Sequence, residues 1–195
     1  MKKILYLMRH GQTQFNVRRK IQGWCDSPLT PLGIAQAKVA ADYFKDHDIT
    51  FDHAYASTSE RACDTLEIIT SQPYTRVKGL KEWNFGTFEG ESEDLNPKLP
   101  YGDFFVAYGG EGEMQLRERV SKTLLDIMRK DDHNCVLAVS HGASCRQFMR
   151  AWEHTSSVNV KERLYNCCIL KFAFENDTFT LEEIINHDFK DLKLD

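Results

Sequence analysis

"LYLMRHGQTQFN", residues 5–16, is the stretch whose reading decides the fold. Five of the six residues Ile4 to Arg9 are apolar or aromatic, the composition of a buried strand. The run then stops in Arg9, His10 and Gly11. A second apolar run, "VLAVSHGASCR" at 136–146, stops the same way in His141 and Gly142. Two core strands that end in an imidazole and a glycine, where a plain turn would be simpler, point to a site at the strand ends.

The segments around these runs alternate between strand and helix. "SPLTPLGIAQAKVAADYFKDHD" opens a helix: Thr30 caps it, Pro31 fits its first position, and Leu32, Ala35, Val39, Ala40 and Phe44 recur at helical spacing. "FDHAYAS" reads as a short strand and "TSERACDTLEIITSQ" as a helix with Ala62, Leu66 and Ile69 on one face. "GEMQLRERVSKTLLDIMRKDD" is a further helix, "NCVLAVS" a buried strand and "GASCRQFMRAW" a helix. "CCILKFAFEND" and "TFTLEEII" form a closing hairpin around Asn176-Asp177. The pattern predicts one α/β domain over 1–195, a three-layer sandwich whose mostly parallel central sheet carries helices on both faces. The Gly- and Pro-rich stretch 86–112 breaks the rhythm and reads as an irregular lid beside the site.

Composition sets limits on what that site binds. At 195 residues the chain is long enough for a real core, and 42% apolar with 28% charged residues is ordinary for a soluble protein. A net charge of −4 gives no general reason to expect nucleic acid or a membrane as partner, so any anion must meet a local positive field. The six cysteines, 25, 63, 135, 145, 167 and 168, form no CxxC pair and no metal-ligand spacing, and they read as core filler in a reduced, cytoplasmic protein. Met-Lys-Lys and an apolar run cut off at Arg9 make too short a signal peptide, and no run approaches a membrane span. Oligomeric state leaves no mark on the sequence.

In an open parallel sheet, ligands bind beyond the carboxyl ends of the strands. His10 and His141 therefore project into one crevice, and the glycine after each allows a tight exit and close backbone approach. Arg61 lies in the first turn of the helix after the second strand and reaches the same place. Alone, a strand-end histidine is ordinarily structural and an arginine near a helix start ordinarily solvated. Two of each converging make a pocket for a compact polyanion, most simply phosphate. Physics alone leaves open whether the pocket binds or catalyses.

"LMRHGQTQFN" resembles the Arg-His-Gly signature of the histidine phosphatase superfamily, in its phosphoglycerate-mutase-like branch. The likeness continues in the family's order through "IQGWCDSPLTPLGIAQA" (21–37), "YASTSERACDT" (55–65), "KEWNFGTFEG" (81–90) and "VSHGAS" (139–144). It covers almost the whole chain and is weakest across 91–115. The resemblance implies an α/β sandwich with His10 as nucleophile, Arg9, Arg61 and His141 as phosphate clamp and Glu82 as proton donor. Asn16, with Gln22, Gly23 and Gly142, falls at positions that line the phosphate.

Those roles make chemical sense. A neutral imidazole attacks phosphorus and splits one hard displacement into two easier ones. Cations around the equatorial oxygens supply most of what phosphoryl transfer needs, so neither a metal nor a cofactor is expected. Trp83, Phe85 and Phe88 either desolvate Glu82 or belong to the core, and Glu89 is the competing donor. Isomerisation, as in the cofactor-dependent mutases of the family, calls for a second cationic cluster over the pocket, and 86–116 offers Lys98 and, near its end, no more. Arg18, Arg19 and Lys20 read as a solvated loop, with contact to a second anionic group as the competing reading. The expectation is a phosphomonoesterase for small phosphorylated metabolites, with mutase as the alternative and a non-catalytic phospholigand module behind both. "AVSHG" also resembles a nucleophile elbow centred on Ser140, with Asp177 and His187 as its only convenient partners.

Overall fold

The computed structural model describes residues 2–190 and 192. Its centre is a six-stranded sheet built from β1 (Lys3–Arg9), β2 (His53–Ser57), β3 (Thr75–Val77), β4 (Cys135–Ser140), β5 (Ile169–Glu175) and β6 (Thr178–Ile185), in the order β3-β2-β4-β1-β5-β6. The first four in that order run parallel, and β5 and β6 join antiparallel. The helices are a single turn, α1 (Gln14–Val17), then α2 (Pro31–Asp46), α3 (Glu60–Ile69), α4 (Glu113–Met128) and α5 (Gly142–Ala151).

Both faces of the sheet are covered, which is why β1 and β4 read as unbroken apolar runs. Leu5 and Leu7 of β1, with Val136 and Ala138 of β4, pack against Leu116, Val120 and Leu124 of α4 and Phe148 of α5. The alternate residues Tyr6, Met8, Leu137 and Val139 pack on the other face against Ala37, Ala40 and Phe44 of α2 and Leu66 of α3. The fold is thus the α/β sandwich expected, its sheet mixed through the final hairpin. Asn176 and Asp177 both take positive φ in that turn, as a two-residue connection between twisted strands requires. Thr30 caps α2 by accepting from Gly33 N–H at 2.9 Å.

Register places the site. Arg9 pairs with Ser140 and Ala56 with Val139, so His10 and His141 leave neighbouring strands at one level, one residue beyond Ser57 at the end of β2. The His10 N–H donates to Ser140 O at 3.0 Å, and the two imidazoles sit edge to face with centroids 5.2 Å apart. Between β3 and α4 the described chain has only short 3₁₀ turns, so irregular backbone begins at 78, earlier than the 86 expected. Trp83, Phe85, Phe88, Tyr101 and Phe105 knit this segment to itself and to the body. No helix among the described residues is long and apolar enough to cross a membrane.

Candidate active site

His10 ends the first strand and is buried, with its ring orientation fixed at both nitrogens. Nδ1 lies 2.7 Å from the carbonyl oxygen of Gly11, which accepts only, so Nδ1 carries the proton. Nε2 is then the lone pair, and it accepts from Arg61 Nε at 3.2 Å. Burial and the charges of Arg61 and Arg9 hold the ring well below the usual histidine pKa, against the smaller opposing pull of Gly11 O. The ring is a neutral imidazole with its basic nitrogen facing cations.

The Gly11 carbonyl is itself held in place. Gly11 N–H donates to Thr65 Oγ1, whose hydroxyl donates to Arg61 O one helical turn earlier. A side chain at Gly11 would meet Gly33 O at 2.5 Å, so this glycine serves the packing of loop on α2. Gly142 serves Arg9: a Cβ there would stand 3.2 Å from Arg9 Nε. Arg9 Nη1 donates to Leu164 O at 2.8 Å, while its buried Nε has no partner among the described residues.

Arg61 is fully buried behind His10. Its Nη1 donates to Cys25 O and to Asp26, 2.8 Å away, and its Nη2 to Gly23 O at 2.8 Å. His141, also fully buried, receives a bond at Nε2 from the Ser57 hydroxyl at 2.7 Å if its proton sits on Nδ1, and that Nδ1 has no partner. Ser59 N–H already donates to the same hydroxyl, leaving the Ser57 proton free for His141. Burial and the Arg61 charge keep His141 well below the ordinary histidine value.

Glu82 is buried at the N-terminus of α5, a helix with no side-chain cap of its own. Its Oε1 accepts from Ser144 N–H and Trp83 N–H, both at 2.9 Å, while the Ser144 hydroxyl donates to Lys81 O at 2.8 Å. Oε2 accepts only from Ala143 N–H at 2.9 Å, so that oxygen retains capacity for a proton. The expected choice for the aromatic neighbours resolves toward packing: Trp83 and Phe85 belong to the core and stack on one another. Glu89, the competing donor, is fully engaged by backbone: Gly23, Trp24, Cys25 and Phe85 N–H groups all donate to it.

A cavity of about 410 Å³ opens beside His10, lined also by Arg9, Asn16, Gln22, Glu82 and Gly142. Asn166 donates to both His10 O and Asn16 Oδ1, tying the cavity floor to the strand end. Gly23 does not line the cavity: its N–H meets Glu89, its carbonyl holds Arg61, and a Cβ would stand 2.0 Å from Trp83 O. Ser140 is unavailable as a nucleophile, because it is fully buried with its hydroxyl donating to Leu80 O at 2.8 Å. Asp177, the acid that reading needs, pairs with Arg129. Ser57, Thr65, Ser144 and Asn166 were not singled out from the sequence, although the first three lie in stretches that carry the family likeness.

A doubly covered sheet with paired strand-end histidines, arginines beside them and a carboxylate held against the N-terminus of α5 is an arrangement suited to phosphoryl chemistry. The chain belongs to the histidine phosphatase superfamily (branch 1), whose model matches residues 5–187, and is an enzyme of the phosphoglycerate-mutase-like phosphatase type. It is 31% identical over 185 residues to the probable phosphoglycerate mutase GpmB of Proteus mirabilis (strain HI4320), covering 88% of this chain and 85% of that one. It is 27% identical over 181 residues to the uncharacterized phosphatase PhoE of Bacillus subtilis (strain 168), covering 91% of each. Among solved structures, a phosphoglycerate mutase of Bacillus anthracis str. Sterne superposes with TM-score 0.81 at 26% identity, covering 93% of this chain and 92% of that one. A phosphoserine phosphatase of Entamoeba histolytica in complex with 3-phosphoglyceric acid superposes with TM-score 0.77 at 29% identity, covering 94% and 97%.

Proposed function

We propose that this protein is a metal-independent phosphomonoester hydrolase that works through a phosphohistidine on His10, acting on small phosphorylated metabolites. The His10 Nε2 lone pair attacks phosphorus, the bond from phosphorus to the ester oxygen breaks, and its electron pair leaves with that oxygen. Glu82 delivers the proton from Oε2. Water then attacks phosphorus, Glu82 takes its proton, and the Nε2–P bond breaks. Arg9 Nε and His141 Nδ1 are buried donors without partners among the described residues, and both gain one when phosphoryl oxygens arrive. The Arg61 Nε–H that rests on His10 Nε2 moves onto an equatorial oxygen as that lone pair is spent.

One observation carries hydrolysis over isomerisation. The segment 86–112 holds six carboxylates (Glu89, Glu91, Glu93, Asp94, Asp103 and Glu111) against one cation, Lys98. Glu93 of this acidic segment faces the cavity itself. An isomerase must retain a bisphosphorylated intermediate while it turns over, and among the described residues this segment sends no cation to the cavity wall to hold it. A mutase remains the second reading, because Lys20, Arg146 and Arg163 bring cations to the cavity from outside that segment. A silent binding module has no use for a buried carboxylate beside the nucleophile.

The deciding experiment assays 3-phosphoglycerate, with and without its bisphosphate, and a panel of other phosphorylated metabolites for free phosphate and for isomer. Phosphate release exceeding isomerisation supports the hydrolase. Isomer formation that outruns phosphate release overturns it.

A further inference from the structure

Two histidines and an aspartate converge where the parallel strands begin, away from the end that His10 and His141 occupy. His53 opens β2, and Asp132 and His133 lie in the turn between α4 and β4. Asp132 reaches both rings at once: Oδ2 lies 2.8 Å from His53 Nε2, and Oδ1 lies 2.7 Å from His133 Nδ1. The two imidazoles stack, with centroids 3.7 Å apart and planes 13° from parallel. The donor atoms of all three residues fall within 4.8 Å of one another.

The backbone fixes these donors before any ligand binds. Asp52 N–H donates to Cys135 O at 2.8 Å, and Asp52 Oδ2 accepts from the N–H groups of Asn134 and Cys135 at 2.7 and 2.8 Å. The residue before His53 is thereby locked to the residues after His133. His133 is buried, and its Nε2 lies 2.6 Å from the Tyr55 hydroxyl, which accepts from Lys130 Nζ at 3.0 Å. A ring that gives its Nδ1 lone pair to a metal carries its proton on Nε2, and Tyr55 is placed to accept that proton. Such an outer partner orients the ring and raises its basicity. His53 and Asp132, 36% and 70% exposed, leave the other side open for an ion to enter. Two charged rings stacked this closely would repel, whereas one divalent cation serves both lone pairs and the carboxylate together.

We propose that His53, Asp132 and His133 form a binding site for a divalent cation of the zinc class, separate from the phosphoryl site. Two imidazole nitrogens and a carboxylate are a donor set that zinc accepts from three protein ligands, with solvent in the fourth position. Magnesium and calcium take oxygen ligands, so the same donors select against them. His53 and Asp132 stand 79 residues apart in the chain, and the unfolded protein offers no such site. The ion therefore ties the start of β2 to the turn before β4 and stabilises the folded state by mass action, without a part in catalysis.

The test titrates zinc chloride by calorimetry into the full-length protein after chelator treatment and desalting, with and without excess magnesium chloride. One zinc ion binds per chain, magnesium does not compete, and zinc raises the thermal midpoint. His53→Gln and Asp132→Asn each weaken zinc by at least about 10–100-fold, the scale that even an outer partner of a ligand carries, and Tyr55→Phe weakens it less. Circular dichroism of the three variants matches the wild type, so lost affinity is not lost fold. Cobalt in place of zinc reads the donors directly in the wild-type protein, and its absorption shows no thiolate-to-metal band. Absence of zinc binding overturns the proposal. So does a thiolate band, or zinc that binds His53→Gln and Asp132→Asn as tightly as the wild type, which is the result expected of an ion held by the catalytic histidines.

Discussion

Arg61 Nε stands 3.2 Å from His10 Nε2 and donates to it, so the nitrogen meant to attack phosphorus is marked by a cation before any substrate arrives. Every other Arg61 group is tied to the 23–26 loop, through Gly23 O, Cys25 O and Asp26. The position of that lone pair therefore depends on a loop that Glu89 holds together.

The first expectation concerns pH. His10, His133 and His141 all have pKa values lowered below 6.5, chiefly by burial. Folded, they give up protons more readily than in the unfolded chain, whose histidines take up protons as pH falls through about 6.5, so the unfolded state binds more protons and stability declines. The thermal midpoint will fall between pH 7 and 5, where exposed histidines alone would leave it level. The acid limb of kcat/KM will lie well below 6.5, since it reports His10 of the free enzyme. A limb at 6.5 would show a solvated nucleophile and contradict the burial argument.

Glu82→Gln separates general acid catalysis from binding. Alkyl phosphates expel a basic alkoxide and need the proton, whereas nitrophenyl phosphate expels a weakly basic phenolate. The variant should lose about 10²–10⁴-fold with alkyl esters, roughly 3–5 kcal/mol on the barrier, and far less with nitrophenyl phosphate. Single-turnover phosphoenzyme formation is the quantity to compare, because it excludes the water step. Equal losses for both esters would remove Glu82 from the role.

Glu89→Gln should behave differently. Its carboxylate accepts from four backbone N–H groups, and an amide in that place turns donors toward donors. Denaturant unfolding should report a loss of about 1–3 kcal/mol. Activity should fall by one factor for alkyl and nitrophenyl esters alike, because the loop carrying the Arg61 acceptors loosens. A selective loss with alkyl esters would make Glu89 the acid.

Metal independence has its own check. Among the described residues the one cluster of histidine and carboxylate groups with metal-ligand spacing is His53, Asp132 and His133. It lies where β2 and β4 begin, at the opposite end of the parallel strands from His10. Turnover should continue in excess chelator. Loss in chelator with recovery on added magnesium or zinc would refute this.

The strands that set the site were legible because both faces are buried, which leaves an apolar run that histidine and glycine end visibly. Three-residue β3 was not: Thr75 and Arg76 are exposed, and so short an edge strand has no periodicity to detect. The fastening of Arg61 was hidden for another reason, since its partners are mostly carbonyls that any residue could supply. Gly23 carried a family signal but works through its backbone on Arg61 and Glu89. Charge counted along 86–116 predicted a cation-poor cavity, yet Lys20, Arg146 and Arg163 arrive there from other parts of the chain. Their meeting is a property of the fold, and it was visible in sequence only as a helical spacing from Gly142 to Arg146 to Arg150.

The central claim is that His10 carries the phosphoryl group. Acid quenching destroys a phosphohistidine, so turnover of a ³²P-labelled ester should be stopped in base and the protein mapped by peptide. The account predicts a base-stable, acid-labile label on His10 that forms as fast as turnover and is absent from His10→Ala. A label on another residue, or full turnover by His10→Ala without one, would contradict it.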